Sequence, residues 1–487
     1  MKKSIVIILS VLIAIVCLPG LTSAQTPKKY SVQEVKADFK YLYETLKKSN
    51  YDLFARVSEE EMDSAYQAIY NSIYDSLSAL EIYRIFQPFV AKVGMSHCNL
   101  SRPWGAYVGI LKKEAAFFPL HLHFSKGKVY VKDNFSNNKS VSISDEVLTF
   151  NGIPMDQLMT DLYKNMSGPS NYYNASILEA YSFPRLYWMF NGECNEFKLK
   201  IKKTDGEELN IVLNAISGNE LEAALDARSS DDEEEREFYL TDNNIAYLRP
   251  GKFSNINSKG DLQDQNTFDN SEFCQFIDSA FLAFNKKGSK YLILDLRDNV
   301  GGDNLFSDYM TAYFATKPFS IASRFPMKTS QVTKDFFKDV DNAESQELKE
   351  QIMTLEDGSY FESKITQTNP HTEPKRFNGK VYVLINRYSY SMSAYAAAII
   401  QDYQFGEIIG EETAEEVTSY VASHVFKLLH TQITVQYPKG FAVRPNGDET
   451  LRGVVPDQVV DENEFTDEDE ILDYTIKLAE MDNNKGL

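Results

Sequence analysis

The rhythm of apolar and polar positions changes along this chain, and each change marks an expected structural region. From Ser31 to Leu100 the apolar residues keep helical spacing: Val35, Phe39, Leu42 and Leu46 in one run, Ile69, Ile73 and Leu77 in the next. Leu80 to Val93 continues the pattern, and Pro88 inside it predicts a kink or a break. The run stops at Gly94-Met95-Ser96-His97-Cys98-Asn99-Leu100, followed by Pro103, a breaker and polar cluster that predicts an exposed loop. From Ala115 to about Asn214 short strands are expected at Phe118–Phe124, Lys128–Lys132, Glu146–Phe150, Phe197–Lys202 and Glu208–Leu213. One helix, Met155–Asn165, is expected there, after the turn Asn151-Gly152-Ile153-Pro154. The acidic run Ser229–Glu235 reads as a solvated linker.

Beyond the linker, strand and helix patterns alternate, the signature of an α/β unit. Asn244–Leu248 and Tyr291–Leu296 read as strands, and Glu272–Phe284 as a helix between them. The stretch Ser320–Phe377 is polar and poorly periodic, with a helix near Asn342–Leu355, and reads as an insertion or lid over a site. His424–Tyr437 predicts antiparallel strands, and Glu468–Met481 a closing helix.

The most informative stretch is Lys380–Asp402. Val381-Tyr382-Val383-Leu384-Ile385 has the continuous apolar character of a strand buried on both faces. Ala394 to Ile400 has good helix propensity, and a polar turn, Asn386–Ser391, joins the two. A serine at such a junction is lifted clear of the sheet, and the first N–H groups of the helix can hold an oxyanion. The geometry is that of a nucleophile elbow, although the G-x-S-x-G spelling is absent. The plainer reading makes Ser391 and Ser393 helix caps.

Composition narrows the class. With 487 residues, 43% hydrophobic and 25% charged, the chain is globular and long enough for two or three domains. Lys2 and Lys3, the apolar run Ile5–Leu18 and Thr22-Ser23-Ala24 read as a secretory signal peptide over residues 1–24, too short to span a membrane. No later segment reaches membrane-span length, so the mature protein is expected outside the cytoplasm, periplasmic or extracellular. An excess of 70 acidic over 50 basic residues argues against nucleic acid as a partner. Cys98, Cys194 and Cys274 have neither disulfide-framework nor zinc spacing and allow at most one pair. His121 and His123 alternate along a strand without an evident third metal ligand, which suggests a sheet surface.

Several phrases together carry a family resemblance. Leu294–Gly302 (LDLRDNVGG), the Ser391 segment ending in Gln401-Asp402, Ile409–Thr413 (IGEET) and Gly453–Asp457 (GVVPD) resemble, in order and spacing, the core of the C-terminal processing (tail-specific) serine peptidases. The resemblance covers roughly Asn244–Val460. It implies an α/β (α+β) catalytic core of the ClpP/crotonase-like tail-specific protease type. An N-terminal helical segment would span 25–105 and a PDZ-like β-rich domain 106–225. Asp145–Pro154 resembles the PDZ strand, Asn-Gly turn and helix, with strand addition as the expected binding mode. The linker would cover 226–238, the catalytic domain 239–465 with insertion 320–378, and a C-terminal helix and tail 466–487.

By the same resemblance Ser391 is the nucleophile, with Ser389 and Ser393 as neighbours only. Backbone N–H groups of Gly301 or Gly302 and of Met392 would form the oxyanion hole. The Ser–Lys branch of the family carries a lysine where this chain has Glu416. The Ser–His branch, which includes the tricorn protease core, places a histidine where this chain has His97. His97 is therefore the expected general base, supported by Ser96, with Glu449 (or Asp448) orienting the imidazole. His424 or His430 could substitute for His97. The expectation is a secreted serine endopeptidase acting on peptide or protein substrates through an acyl-enzyme, with no cofactor and no metal. The alternatives are a decayed peptide- or ligand-binding protein on the same fold and an esterase. The sequence sets no oligomeric state.

Overall fold

The structure, a computed structural model, describes residues 28–111, 116–230, 236–255, 269–338, 346–466 and 468–485. The expected signal peptide and residues 231–235 of the linker lie outside these residues; the rest of the linker, expected over 226–238, belongs largely to the helix Gly218–Ser230 and the strand Glu237–Leu240.

The catalytic half is built on a six-stranded sheet. Its order is Glu237–Leu240, Ala246–Arg249, Tyr291–Asp295, Lys380–Ile385, Glu407–Gly410 and Gln458–Val459. The first pair is antiparallel and the other pairs are parallel. Leu292, Leu294, Val381, Val383 and Ile385 bury one face against the helices Ser271–Lys287, Asn304–Thr311 and Met392–Asp402. Ile293, Tyr382 and Leu384 bury the other against the C-terminal helix Glu470–Lys485. Burial on both faces explains the unbroken apolar run at Val381–Ile385. Burying each large side chain contributes roughly 1.5–3 kcal/mol. Phe281, stacked on Tyr313 at 4.1 Å, is the kind of residue whose truncation to Ala costs about 3–5 kcal/mol.

The middle region folds as an antiparallel sheet in the order Leu120–Ser125, Lys128–Asn134, Glu146–Phe150, Glu196–Lys202 and Glu208–Asn214, with Ile153–Pro154 paired to Glu146–Phe150. The Asn151-Gly152 turn has both residues at positive φ, as its sequence predicts. The expected helix forms at Met155–Tyr163. The helices Asn171–Ala180, Phe183–Asn191 and Gly218–Ser230 have no counterpart in the sequence expectation.

The N-terminal segment forms the helices Val32–Ser49, Glu59–Ser72 and Ala79–Ala91. Each opens with a capping box, Ser31/Glu34, Ser58/Glu61 and Ser78/Glu81, which satisfies two otherwise orphaned N–H groups. Pro88 does not break the third helix, which runs on to Ala91. This segment docks on a third sheet, the hairpin of Ser419–Lys427 and Thr434–Ala442. Phe39, Phe86, Phe426 and Tyr437 share one core. The fully buried Asp38 accepts bonds from the N–H groups of His430 (2.8 Å) and Thr431 (2.9 Å) and from the Thr431 hydroxyl (2.7 Å). The short strand Asn99–Leu100 pairs with Gln436 and Val435. These contacts deliver the loop before it to the catalytic half.

The segment expected to be an insertion or a lid adds strands to the hairpin sheet. Pro326–Lys328 and Tyr360–Glu362 extend the hairpin sheet, and Phe336 and Phe337 pack on His424. None of its described residues lines the cleft that holds Ser391.

Candidate active site

The strand Lys380–Ile385 ends at a turn that the neighbouring strand end fixes from the side. Asn386 donates to Asp298 (3.0 Å) and accepts from the Asp298 N–H (3.2 Å). The Tyr390 N–H donates to the Asn299 carbonyl (3.0 Å). Ser389, fully buried, donates to the Leu296 carbonyl at 2.7 Å, and Ser393 points to the same oxygen at 3.4 Å. Those two serines are therefore structural.

Ser391 differs from both. Its backbone sits at φ 49°, ψ −125°, a region that non-glycine residues avoid, and its side chain makes no cap bond to the helix Met392–Asp402. Such strain costs about 1–3 kcal/mol and persists only where the surroundings enforce it. The helix-cap reading thus fails for Ser391, and the elbow reading describes its backbone.

A cleft of about 460 Å³ opens over the elbow, lined by Ser391, His97, Ser96 and Glu415 among others. His97 and Ser391, almost 300 positions apart in sequence, meet there because the N-terminal segment docks on the hairpin. Glu415 ties the two together. One of its oxygens faces His97 Nε2 at 3.3 Å and accepts from the Ser96 hydroxyl at 3.2 Å. The other accepts the Ser391 N–H at 2.8 Å. Burial alone would raise the Glu415 carboxyl. The hydrogen bond and charge of His97, with the Ser391 and Ser96 donors, outweigh it and hold the carboxyl below its usual range.

Glu415, which the sequence reading missed, is the carboxylate that lies beside His97, where Glu449 was expected. Glu449 is 63% exposed, pairs with Arg324 at 3.2 Å and does not line the cleft. Asp448 is also exposed and caps its own turn through Thr450. Glu416, in the position of the family lysine, is held by Arg56 through two contacts of 2.7 and 2.6 Å. Burial pushes its carboxyl up, and Arg56 offsets only part of that.

The glycine pair lies against the elbow as expected. A Cβ at Gly301 would fall 2.6 Å from Met392 N and 2.8 Å from Ser391 Cβ, so a side chain there would fill the site. A Cβ at Gly302 would collide with the Phe253 carbonyl at 2.0 Å. The Gly301 N–H, however, donates to Asn299 Oδ1 at 2.8 Å, so Gly301 is not an oxyanion donor. The Met392 N–H, first in its helix, has no acceptor among the described residues.

The other histidines stay out of the cleft. His424 is buried against Phe336 at 4.6 Å, and burial holds it well below its usual range. Its neighbour Val425 faces the cleft instead. His430 serves Asp38 through its backbone. His121 and His123 do not lie on a sheet surface but are buried. His123 Nδ1 stands 2.8 Å from Glu179, and with Glu464 they form a group of metal-ligand type. The Lys132 ammonium lies 3.4 Å from Glu179 and 2.7 Å from Glu464, so this group already holds a cation of its own. Cys98 and Cys194 form no disulfide among the described residues. Among the described residues no helix is long and apolar enough to cross a membrane.

Comparison with known proteins bears on the fold. The structure of mature CPAF superposes with a TM-score of 0.58 at 14% identity, covering 88% of this chain and 92% of that one. Mature CPAF complexed with lactacystin gives the same TM-score and identity, covering 88% and 94%. At that identity the likeness establishes the fold. No curated protein matches the chain in sequence. Residues 244–460 match the model of peptidase family S41, the region expected from the sequence phrases. That region of the chain is similar to the serine-type peptidases of family S41, the C-terminal processing type.

Proposed function

We propose that this chain is an exported endopeptidase whose nucleophile is Ser391 and whose general base is His97, as in the Ser–His branch of the family. The observation that carries this reading is the convergence of Ser391, His97 and Glu415 in one cleft. His97 takes the Ser391 proton as the hydroxyl attacks the peptide carbonyl, and returns it to the leaving amine. Water then hydrolyses the acyl-enzyme by the reverse sequence of transfers. Glu415 fixes the imidazole through one ring nitrogen and stabilises the cation that forms, which leaves the other nitrogen for the hydroxyl. Its bond to the Ser391 N–H also holds the strained elbow. The Met392 N–H and the backbone beside Gly302 receive the oxyanion, each donor being worth a few kcal/mol. Gly301 contributes by having no side chain.

Export rests on the basic, apolar and small-residue pattern of residues 1–24. The middle region serves as the PDZ-like domain, with its Asn-Gly turn and following helix as support. A serine-directed phosphonate tests the reading. The protein should label at Ser391 and lose labelling in His97→Ala. A folded protein that cleaves no peptide and takes no label would instead be a binding protein on this fold.

A further inference from the structure

The chain carries a formal charge of −20, yet the described walls of the cleft carry few acids. Among the described residues lining it, Glu415 is the single carboxylate, and both of its oxygens are engaged by His97, Ser96 and Ser391. Arg102 and Lys252 line the same walls. Arg102 follows the strand Asn99–Leu100, where the Ser101 N–H donates to the Thr434 carbonyl at 2.8 Å and the Thr434 N–H donates to the Ser101 hydroxyl at 3.2 Å. Its position is thus set by the hairpin, and Pro103 limits the backbone behind it. The guanidinium lies 4.6 Å over the Tyr181 ring. Stacking occupies its face, and the Tyr83 hydroxyl takes one of its N–H groups, which leaves the rest of the five-donor edge for an acceptor. Among the described residues no carboxylate pairs with Arg102. A planar cation held on an aromatic wall, with no acid beside it, fits a bidentate carboxylate. In a cleft with low-dielectric walls its field is concentrated on whatever enters.

We propose that Arg102 is a specificity-determining residue that receives a carboxylate of the bound peptide, so that the cleft selects carboxylate-bearing segments. The proposal rests on the peptidase reading of the same cleft. The carboxylate can belong to an acidic side chain or to the peptide's own C-terminus, and the test separates the two. One arm compares quenched peptides that differ by Glu or Gln at single positions around the scissile bond. The other compares free-acid and amidated forms of a peptide without acidic residues. The wild type should show a KM at least about tenfold lower for the carboxylate form in one arm, with kcat little changed, because the contact is made in ground and transition states alike. Arg102→Gln should erase the difference, Arg102→Lys should retain part of it, and Arg102→Glu should shift preference towards a Lys-bearing peptide. Equal KM values for both forms, or an equal loss on all peptides in Arg102→Gln, overturn the proposal. Fluorescence anisotropy with Ser391→Ala separates this from the catalytic reading. Charge-selective binding without any cleavage or labelling by the wild type would sink the peptidase and keep the subsite. Labelling and cleavage without charge selectivity would do the reverse.

Discussion

Two acidic loops lie at the edges of the catalytic half, and only one of them serves the site. The first, residues 411–417, follows the strand Glu407–Gly410, the parallel neighbour of the elbow strand. It therefore emerges at the C-terminal ends of the strands, beside Ser391, where open α/β sheets place their ligands. The second, residues 444–451, follows the antiparallel hairpin. It binds the far end of the elbow helix, with Arg444 and the Asn446 N–H on Asp402 at 2.7 and 3.1 Å. None of its residues lines the cleft that holds Ser391. The lesson is that an acid's distance in sequence from the serine says little. The direction of the strand that delivers it decides.

The contrast can be tested at each of its members, starting with the serine they serve. Ser391→Ala should abolish phosphonate labelling and lower turnover by about 10⁴-fold or more. Glu415→Gln keeps the shape but removes the charge that fixes and stabilises His97. It should lower kcat/KM by about 10²–10⁴-fold, measured on a folded protein with an unchanged circular dichroism spectrum. The same variant has a pH signature. Because the folded Glu415 carboxyl lies below its ordinary value of 4.5, its stabilisation is present above that pH and lost as pH falls through the lower folded value. The gap in melting temperature between wild type and Glu415→Gln should be full at pH 7 and should close at more acid pH; a gap that widened on acidification would contradict the assignment.

Arg56→Ala should have an intermediate effect. It leaves Glu416 buried without its partner, next to Glu415, and should destabilise the protein by about 3 kcal/mol while lowering activity less than Glu415→Gln. Glu449→Ala should do least. Its pair with Arg324 is exposed on both sides, and turnover should stay within about twofold of wild type, since such pairs are worth about 0–1 kcal/mol. A large loss in Glu449→Ala with little loss in Glu415→Gln would invert the comparison.

Much of the site was legible before any coordinates. The elbow could be read because a doubly buried strand, a polar turn and an Ala-rich helix each leave a local pattern, at Val381–Ile385, Asn386–Ser391 and Ala394–Ile400. His97 was picked out by the resemblance to the Ser–His branch, whose histidine stands at the end of the first helical segment, and it lines the same cleft as Ser391. Glu415 was passed over because Thr413-Ala414-Glu415-Glu416 has no periodicity, and both glutamates look alike without their partners. Gly301 was read, with Gly302 as the alternative, as a donor because the bond its N–H donates to the Asn299 side chain leaves no trace in spacing. The supposed lid failed for a similar reason. Its strands Pro326–Lys328 and Tyr360–Glu362 are three residues each, too short to show alternation.

The amino-acid sequence alone determined what nearest-neighbour physics governs: the helices with their Ser/Glu caps, the buried strands, the glycines that a close backbone approach requires and the serine at the strand–helix junction. Tertiary structure decided which charges meet. His97, Glu415 and Ser391 come from three elements whose contact depends on a buried Asp38, a hairpin and a parallel strand order. An ion pair or hydrogen bond is decided over a few ångströms, a distance that chain connectivity specifies only after the long-range contacts have formed.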